Sequence, residues 1–149
     1  MTVFSVLVIV HALAATVWTG GHLVLALGVL PRALRERSAT PIRAYEEPFE
    51  PLGLVALAIQ VFTGLWMSWI LLPGFAGLFR FQTPISTLVS LKLGLLSVTV
   101  ALAMHARLRL IPRLRDEDLL PLAWHIGGVT ALAVAFVVTG AGIRLGGFG

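Results

Sequence analysis

The chain has 149 residues, 58% of them hydrophobic and 12% charged, with a formal net charge of +4 and a mean hydropathy of +0.95. A soluble domain carries roughly 45–50% apolar and about 25% charged residues, so this composition suits a lipid-exposed surface and not a water-exposed one. The basic balance does not mark a nucleic-acid binder, because the arginines lie between apolar runs, where charge sets membrane orientation, and the lack of cysteine removes disulfides and thiolate ligands.

A membrane-spanning helix needs about 20 mostly apolar residues. The first run covers residues 3–30 and ends at Pro31-Arg32. No basic segment precedes it, and it outruns the roughly 7–15 apolar residues of a signal peptide, so it reads as a span. The second run, 52–72, ends at Pro73-Gly74; the third, 85–111, at Pro112-Arg113; the fourth, 121–143, at Arg144. None alternates apolar with polar residues as a barrel strand does. The expectation is an all-α integral membrane protein, an antiparallel four-helix bundle forming a single domain over residues 1–149.

Charge sets the expected topology. Arg32, Arg35, Arg37 and Arg43 follow the first span, and Arg107, Arg109, Arg113 and Arg115 close the third, all on one side. All seven acidic residues share that side, and the other holds only Arg80 and Arg144. Basic connectors stay in the cytoplasm. Both termini are therefore expected on the non-cytoplasmic side of the inner (cytoplasmic) membrane, with loops 31–51 and 112–120 cytoplasmic. The acidic, aromatic stretch 43–51 reads as a connector, interfacial or simply solvated.

Few polar side chains enter the spans, and such groups are costly in lipid. At about 1.5 Å per residue, His22, His105 and His125 fall in one layer near the arginine-rich end. His11, Lys92, Trp66 and Met67 fall in a second layer toward the other end. His11 and His22 are eleven residues apart, about three whole turns, so they share a helix face with Ala15 and Trp18. Gly94, Ser97, Ala101 and His105 make a small-residue stripe that lets a helix or a flat macrocycle approach, and Gly127-Gly128 after His125 leaves similar room. Gln60, Gly64 and Met67 share a stripe on the second span and read as ordinary packing. Lys92 lies about 140° around the helix from His105 and is expected to snorkel to the outer interface, the alternative being that it reaches a carboxylate or propionate.

Two imidazoles from different helices at one depth are a usual grip on a b-type haem. His22, His105 and His125 are the candidates, with a second cofactor near His11, and Arg107 and Arg109 placed to pair with propionates. Histidines in one layer also suit a copper or zinc ion, so His11, His22, His105 and His125 are all candidate metal ligands. Three methionines and no cysteine argue against a relay of soft Cu(I) ligands. A histidine near a helix end is also explained as interfacial, most readily His125.

These same residues carry a resemblance. His11 with Trp18-Thr19-Gly20-Gly21-His22 and Leu30-Pro31-Arg32 resembles the first helix of the copper-resistance protein D (CopD) superfamily. Thr63-Gly64-Leu65-Trp66, Leu91-Lys92-Leu93, His105-Ala106-Arg107-Leu108 and Ile111-Pro112-Arg113-Leu114 extend it over most of the chain. The resemblance implies a four-helix unit linked to copper import or resistance. The chain is also distantly similar to HemJ-type protoporphyrinogen oxidases, which share a histidine and a tryptophan with six residues between them, as His11 and Trp18 are here. That likeness implies haem b. The functional expectation is accordingly a haem b membrane protein moving single electrons, as a membrane oxidoreductase does. The alternative is a copper-binding or copper-transport protein, and one layer holding haem while the other holds copper joins the two. A structural subunit whose histidines only pack is the third reading. Expected partners are the lipid bilayer, a redox partner or copper donor, and a second copy of the chain.

Overall fold

The computed structural model describes residues 1–111, 116 and 119–145. Pro112, Arg113, Leu114 and Arg115, and with them most of the expected 112–120 loop, lie outside the described residues. Among those described there are helices and turns but no strand. Four helical stretches are long and apolar enough to cross a bilayer: Val3–Glu36, Thr40–Leu71, Pro84–Leu110 and Leu119–Leu145.

The first stretch has three parts: α1 (Val3–Val24), a π-helical turn (Leu25–Val29) and α2 (Leu30–Glu36). Thr2 starts it by accepting the Ser5 N–H at its hydroxyl. Pro31 has no N–H for the carbonyl four residues back, and its ring would strike that carbonyl. The chain answers by widening: the Leu30 N–H reaches the Leu25 carbonyl. The third stretch repeats the device. In α4 (Pro84–His105) a Thr83/Ser86 capping box with Pro84 in the first turn starts the helix. A second π-turn (Ala106–Leu110) ends it just ahead of Pro112, the Ile111 N–H reaching the Ala106 carbonyl. Each π-turn follows a histidine closely, His22 in one case and His105 in the other.

The 31–51 connector is not a loop. Residues 30–36 continue the first stretch as α2, and α3 (Thr40–Leu71) begins at Thr40, which leaves only Arg37, Ser38 and Ala39 between them. Arg37 turns the chain in the left-handed region at φ 49°. At ~1.5 Å per residue the 32 residues of α3 run about 48 Å, well past a ~30 Å hydrocarbon layer. Its charged first turns therefore project beyond the lipid, carrying Pro48 and Pro51 inside the helix. The Ala39 N–H, entering α3, donates to Asp116 Oδ1 at 2.7 Å, which ties the two arginine-rich connections together.

The first stretch packs against α3 and against α5 (Leu119–Leu145), and α4 packs on α5, while α3 and α4 scarcely meet. A seam therefore runs between the second and third spans. Leu25, Leu30, Ala33, Ala39, Ile42, Leu119, Leu122 and Ile126 form an apolar cluster at the arginine-rich end. A second, of Ala14, Trp18, Ala56, Val129 and Ala133, fills the middle. Large apolar side chains such as Leu13, Leu27, Phe62 and Leu108 point outward to lipid. Several hydroxyls in the spans turn back on their own helix, as Ser68 does to the Gly64 carbonyl and Thr139 to Ala135, whereas the buried Thr99 hydroxyl has no partner among the described residues.

Candidate functional site

Trp18 and His22 share one face of α1. Trp18 is buried, and the His22 ring lies 4.3 Å from the Trp18 ring, centroid to centroid. His22 Nδ1 is 2.8 Å from the Trp18 carbonyl. A carbonyl only accepts, so Nδ1 carries the proton and the lone pair is left on Nε2. On the other side of His22 stands Phe49 of α3, edge-on at 6.0 Å. Phe49 stacks on Tyr45 at 5.3 Å, and the Tyr45 hydroxyl donates to the Gly21 carbonyl at 2.8 Å. This close approach needs Gly21, because a Cβ there would collide with the Phe49 ring. Thr130 of α5 stands alongside, its hydroxyl donating chiefly to the Ile126 carbonyl of its own helix at 2.7 Å, with the His22 carbonyl 3.3 Å away.

A cleft of roughly 100 Å³ opens beside this cluster, with all four membrane-length stretches contributing to its walls. His22, Glu46, Phe49, Glu50, Arg107 and His125 are among its lining residues. His125 Nε2 is buried and has no hydrogen-bond partner among the described residues. His105 is exposed and lies at the edge, its ring 5.8 Å from that of His125. Arg107, just beyond the α4 terminus, forms an ion pair with Glu50 of α3 across the seam.

The other layer is assembled separately. His11 Nδ1 is 2.8 Å from the Thr63 hydroxyl, which donates its own proton to the Ile59 carbonyl at 2.6 Å. Thr63 therefore accepts from His11, and His11 too keeps its lone pair on Nε2. The His11 ring packs where a Cβ on Gly64 would stand 3.3 Å away. The Lys92 ammonium lies against Gly140 of α5, 3.3 Å from the position of a Cβ there.

Counting along the helices correctly separates His22, His105 and His125 from His11. Other expectations need correction. The Gly94, Ser97, Ala101, His105 stripe is exposed, and so are Gly127 and Gly128; they do not line the bundle interior. The Lys92 ammonium reaches α5 at Gly140, five residues before the end of that helix. Arg107 is engaged by a carboxylate of the chain itself, and exposed Arg109 is not among the cleft-lining residues. Sequence reasoning missed Glu46, Phe49 and Glu50 because it placed 43–51 in a connector. The usable signal was their spacing of three, one and three with Gly53, a helical face.

Imidazole lone pairs beside carboxylates make a donor set for borderline divalent ions such as Cu²⁺ or Zn²⁺. Among the described residues no three such side chains already converge on one point, so a bound ion would draw its ligands together.

Four apolar helices around a histidine-lined cleft define a small polytopic membrane protein. The chain belongs to the copper resistance protein D (CopD) family, whose model matches residues 43–143, well over half its length. The match includes Glu46, Glu50, Lys92, His105 and His125 and leaves His11 and His22 ahead of it. No curated protein and no solved structure matches the chain.

Proposed function

We propose that this chain is a copper-handling membrane protein that binds a copper ion as cargo in the cleft at its arginine-rich end, through His125 and His22, with His105 beside them. The observation that carries this reading is His125: its buried Nε2 lacks any hydrogen-bond partner in a cleft that also holds His22 and two carboxylates. A buried polar nitrogen left without a partner is expensive, and a metal ion satisfies it in the tautomer that leaves its lone pair free. Glu46 and Glu50 supply the negative charge that draws a cation to neutral imidazoles. Family membership supports the same metal. Purified protein equilibrated with Cu²⁺ and a competing chelator is expected to retain one ion per chain, and His125→Ala to lose it.

Haem b is the second reading, favoured by imidazoles on two different helices flanking one cleft. Small-molecule pockets span about 300–1,000 Å³, so the roughly 100 Å³ here favours an ion over a macrocycle. A Soret band in protein expressed with haem supplied, lost in His22→Ala and His125→Ala, reverses that preference and restores the one-electron redox function.

The orientation follows from the arginines: the cleft opens toward the cytoplasm, and residues 1–149 act as one domain of the inner membrane. The exposed Gly94, Ser97, Ala101 stripe is where a second copy packs if the chain dimerises. Because the chain has no cysteine, a cysteine placed at Ser38 and another at Thr2 give a clean labelling test in whole cells. An impermeant maleimide is expected to reach the second and not the first.

A further inference from the structure

The connection between α3 and α4, residues 72–83, lies at the end of the bundle away from the arginine-rich connections. Its backbone is unusual. Phe75, Phe79 and Phe81 have φ of 57°, 60° and 55°, and Gly74 and Gly77 join them at 63° and 78°. The left-handed region suits glycine, but a bulky side chain enters it only against steric cost. Turn hydrogen bonds hold the connection in this form, from the N–H groups of Phe75, Ala76, Leu78 and Arg80 to the carbonyls of Leu72, Pro73, Phe75 and Gly77. The Phe79 N–H donates to the hydroxyl of buried Ser90 at 2.9 Å, which pins the connection to α4. Yet the strained backbone buries little of the rings it carries: Phe79 is 59% exposed and Phe81 61%.

Strain that buries so little within the molecule points to a partner outside it. The place of these rings says what that partner is. The connection joins the ends of two membrane-length helices, and Trp66 and Trp69, exposed on the last two turns of α3, continue the lipid-facing surface up to it. Aromatic side chains collect at this level of a bilayer. Between Phe79 and Phe81 stands Arg80, exposed, and no acidic residue occurs in residues 51–115 to pair with it at this end. Lipid phosphate is the counter-charge within its reach. We propose that residues 72–83 are an interfacial anchor: the Phe79 and Phe81 rings insert into the lipid leaflet at this end, and the Arg80 guanidinium lies on the phosphates between them. The bilayer is the occupant of this surface, and it fixes the ends of α3 and α4, which scarcely meet each other. The anchor does not rest on the copper reading.

The test uses the full chain in nanodiscs of phosphatidylcholine and phosphatidylglycerol. Phe79→Cys and Phe81→Cys give unique thiols, because the chain has no cysteine. Each carries a nitroxide whose depth is read from its collisions with oxygen and with a water-soluble nickel chelate. Both labels are expected roughly 5–10 Å below the phosphates, and Arg80→Glu is expected to move the label at position 79 toward water. Replacing Phe79 or Phe81 by benzoylphenylalanine keeps an aromatic ring in place should the cysteine variants disturb the turn. Irradiation is then expected to attach phospholipid, as it should from the same replacement at lipid-facing Phe62. Labels in water, a depth that Arg80→Glu leaves unchanged, or no lipid adduct at either position overturns the proposal.

Discussion

The imidazole of His125 stands 5.8 Å from that of His105, centroid to centroid, the rings tilted by 46°. The two come from neighbouring helices, and His125 is the one that turns into the cleft. Their contributions should therefore differ. His125→Ala is expected to weaken copper binding by about tenfold or more, since ~1.4 kcal/mol of lost ligand energy is a factor of ten. His105→Ala should weaken it less, and His11→Ala not at all. Chelator competition measures all three, and equal losses in His11 and His125 variants would refute the two-layer arrangement.

Glu50 and Arg107 bridge α3 and the end of the third stretch, with side chains 27% and 49% exposed. A pair this wet contributes at most ~1 kcal/mol, so Arg107→Gln should barely change stability. It should tighten copper binding, because Glu50 is then free of its internal counter-ion. Glu50→Gln should loosen it. Opposite signs in one titration series are the expected signature, and equal signs would count against a role for Glu50.

Gly21 lets Phe49 close on the first helix. Gly21→Ala places a methyl in the Phe49 ring and should cost about 1–3 kcal/mol, as overpacking does. Shortening the ring side chain in Gly21→Ala/Phe49→Leu should recover part of that loss. Thermal unfolding in detergent reads both, and a neutral Gly21→Ala would show that Phe49 is not fixed by this notch.

Thr63 is the acceptor that holds His11. Thr63→Val leaves the His11 Nδ1–H without its partner and should destabilise by roughly 1–3 kcal/mol, whereas Thr63→Ser should stay close to wild type. Nitrogen NMR of labelled histidine should find the Nδ1–H tautomer at position 11 in the wild type and a mixture in Thr63→Val.

The hydropathy of the four runs was enough to read an all-helical membrane bundle, because nothing but a helix or a closed barrel satisfies its backbone in lipid. Where lipid ends, that logic stops. Residues 31–36 and 40–50 are charged and contain prolines, which made them look like loop, but both are helix. Pro31 is absorbed by the π-turn, and Pro48 and Pro51 sit in the helical turns of α3 that project past the hydrocarbon. The misplacement hid Glu46 and Glu50 and so half the character of the cleft. The small-residue stripe failed for a related reason. The 140° between Lys92 and His105 was sound, but the stripe ending at His105 faces outward, while Lys92 is half-buried. Periodicity gives relative faces, and only packing says which one is inside.

The most direct test of the copper site is metal content. The purified full chain, loaded with Cu²⁺ and passed over a chelating column, should hold one copper per chain and show no Soret absorbance, and His22→Ala and His125→Ala should each lose the metal while remaining folded. Copper that is absent from the wild type, or that persists unchanged in both variants, would contradict the account.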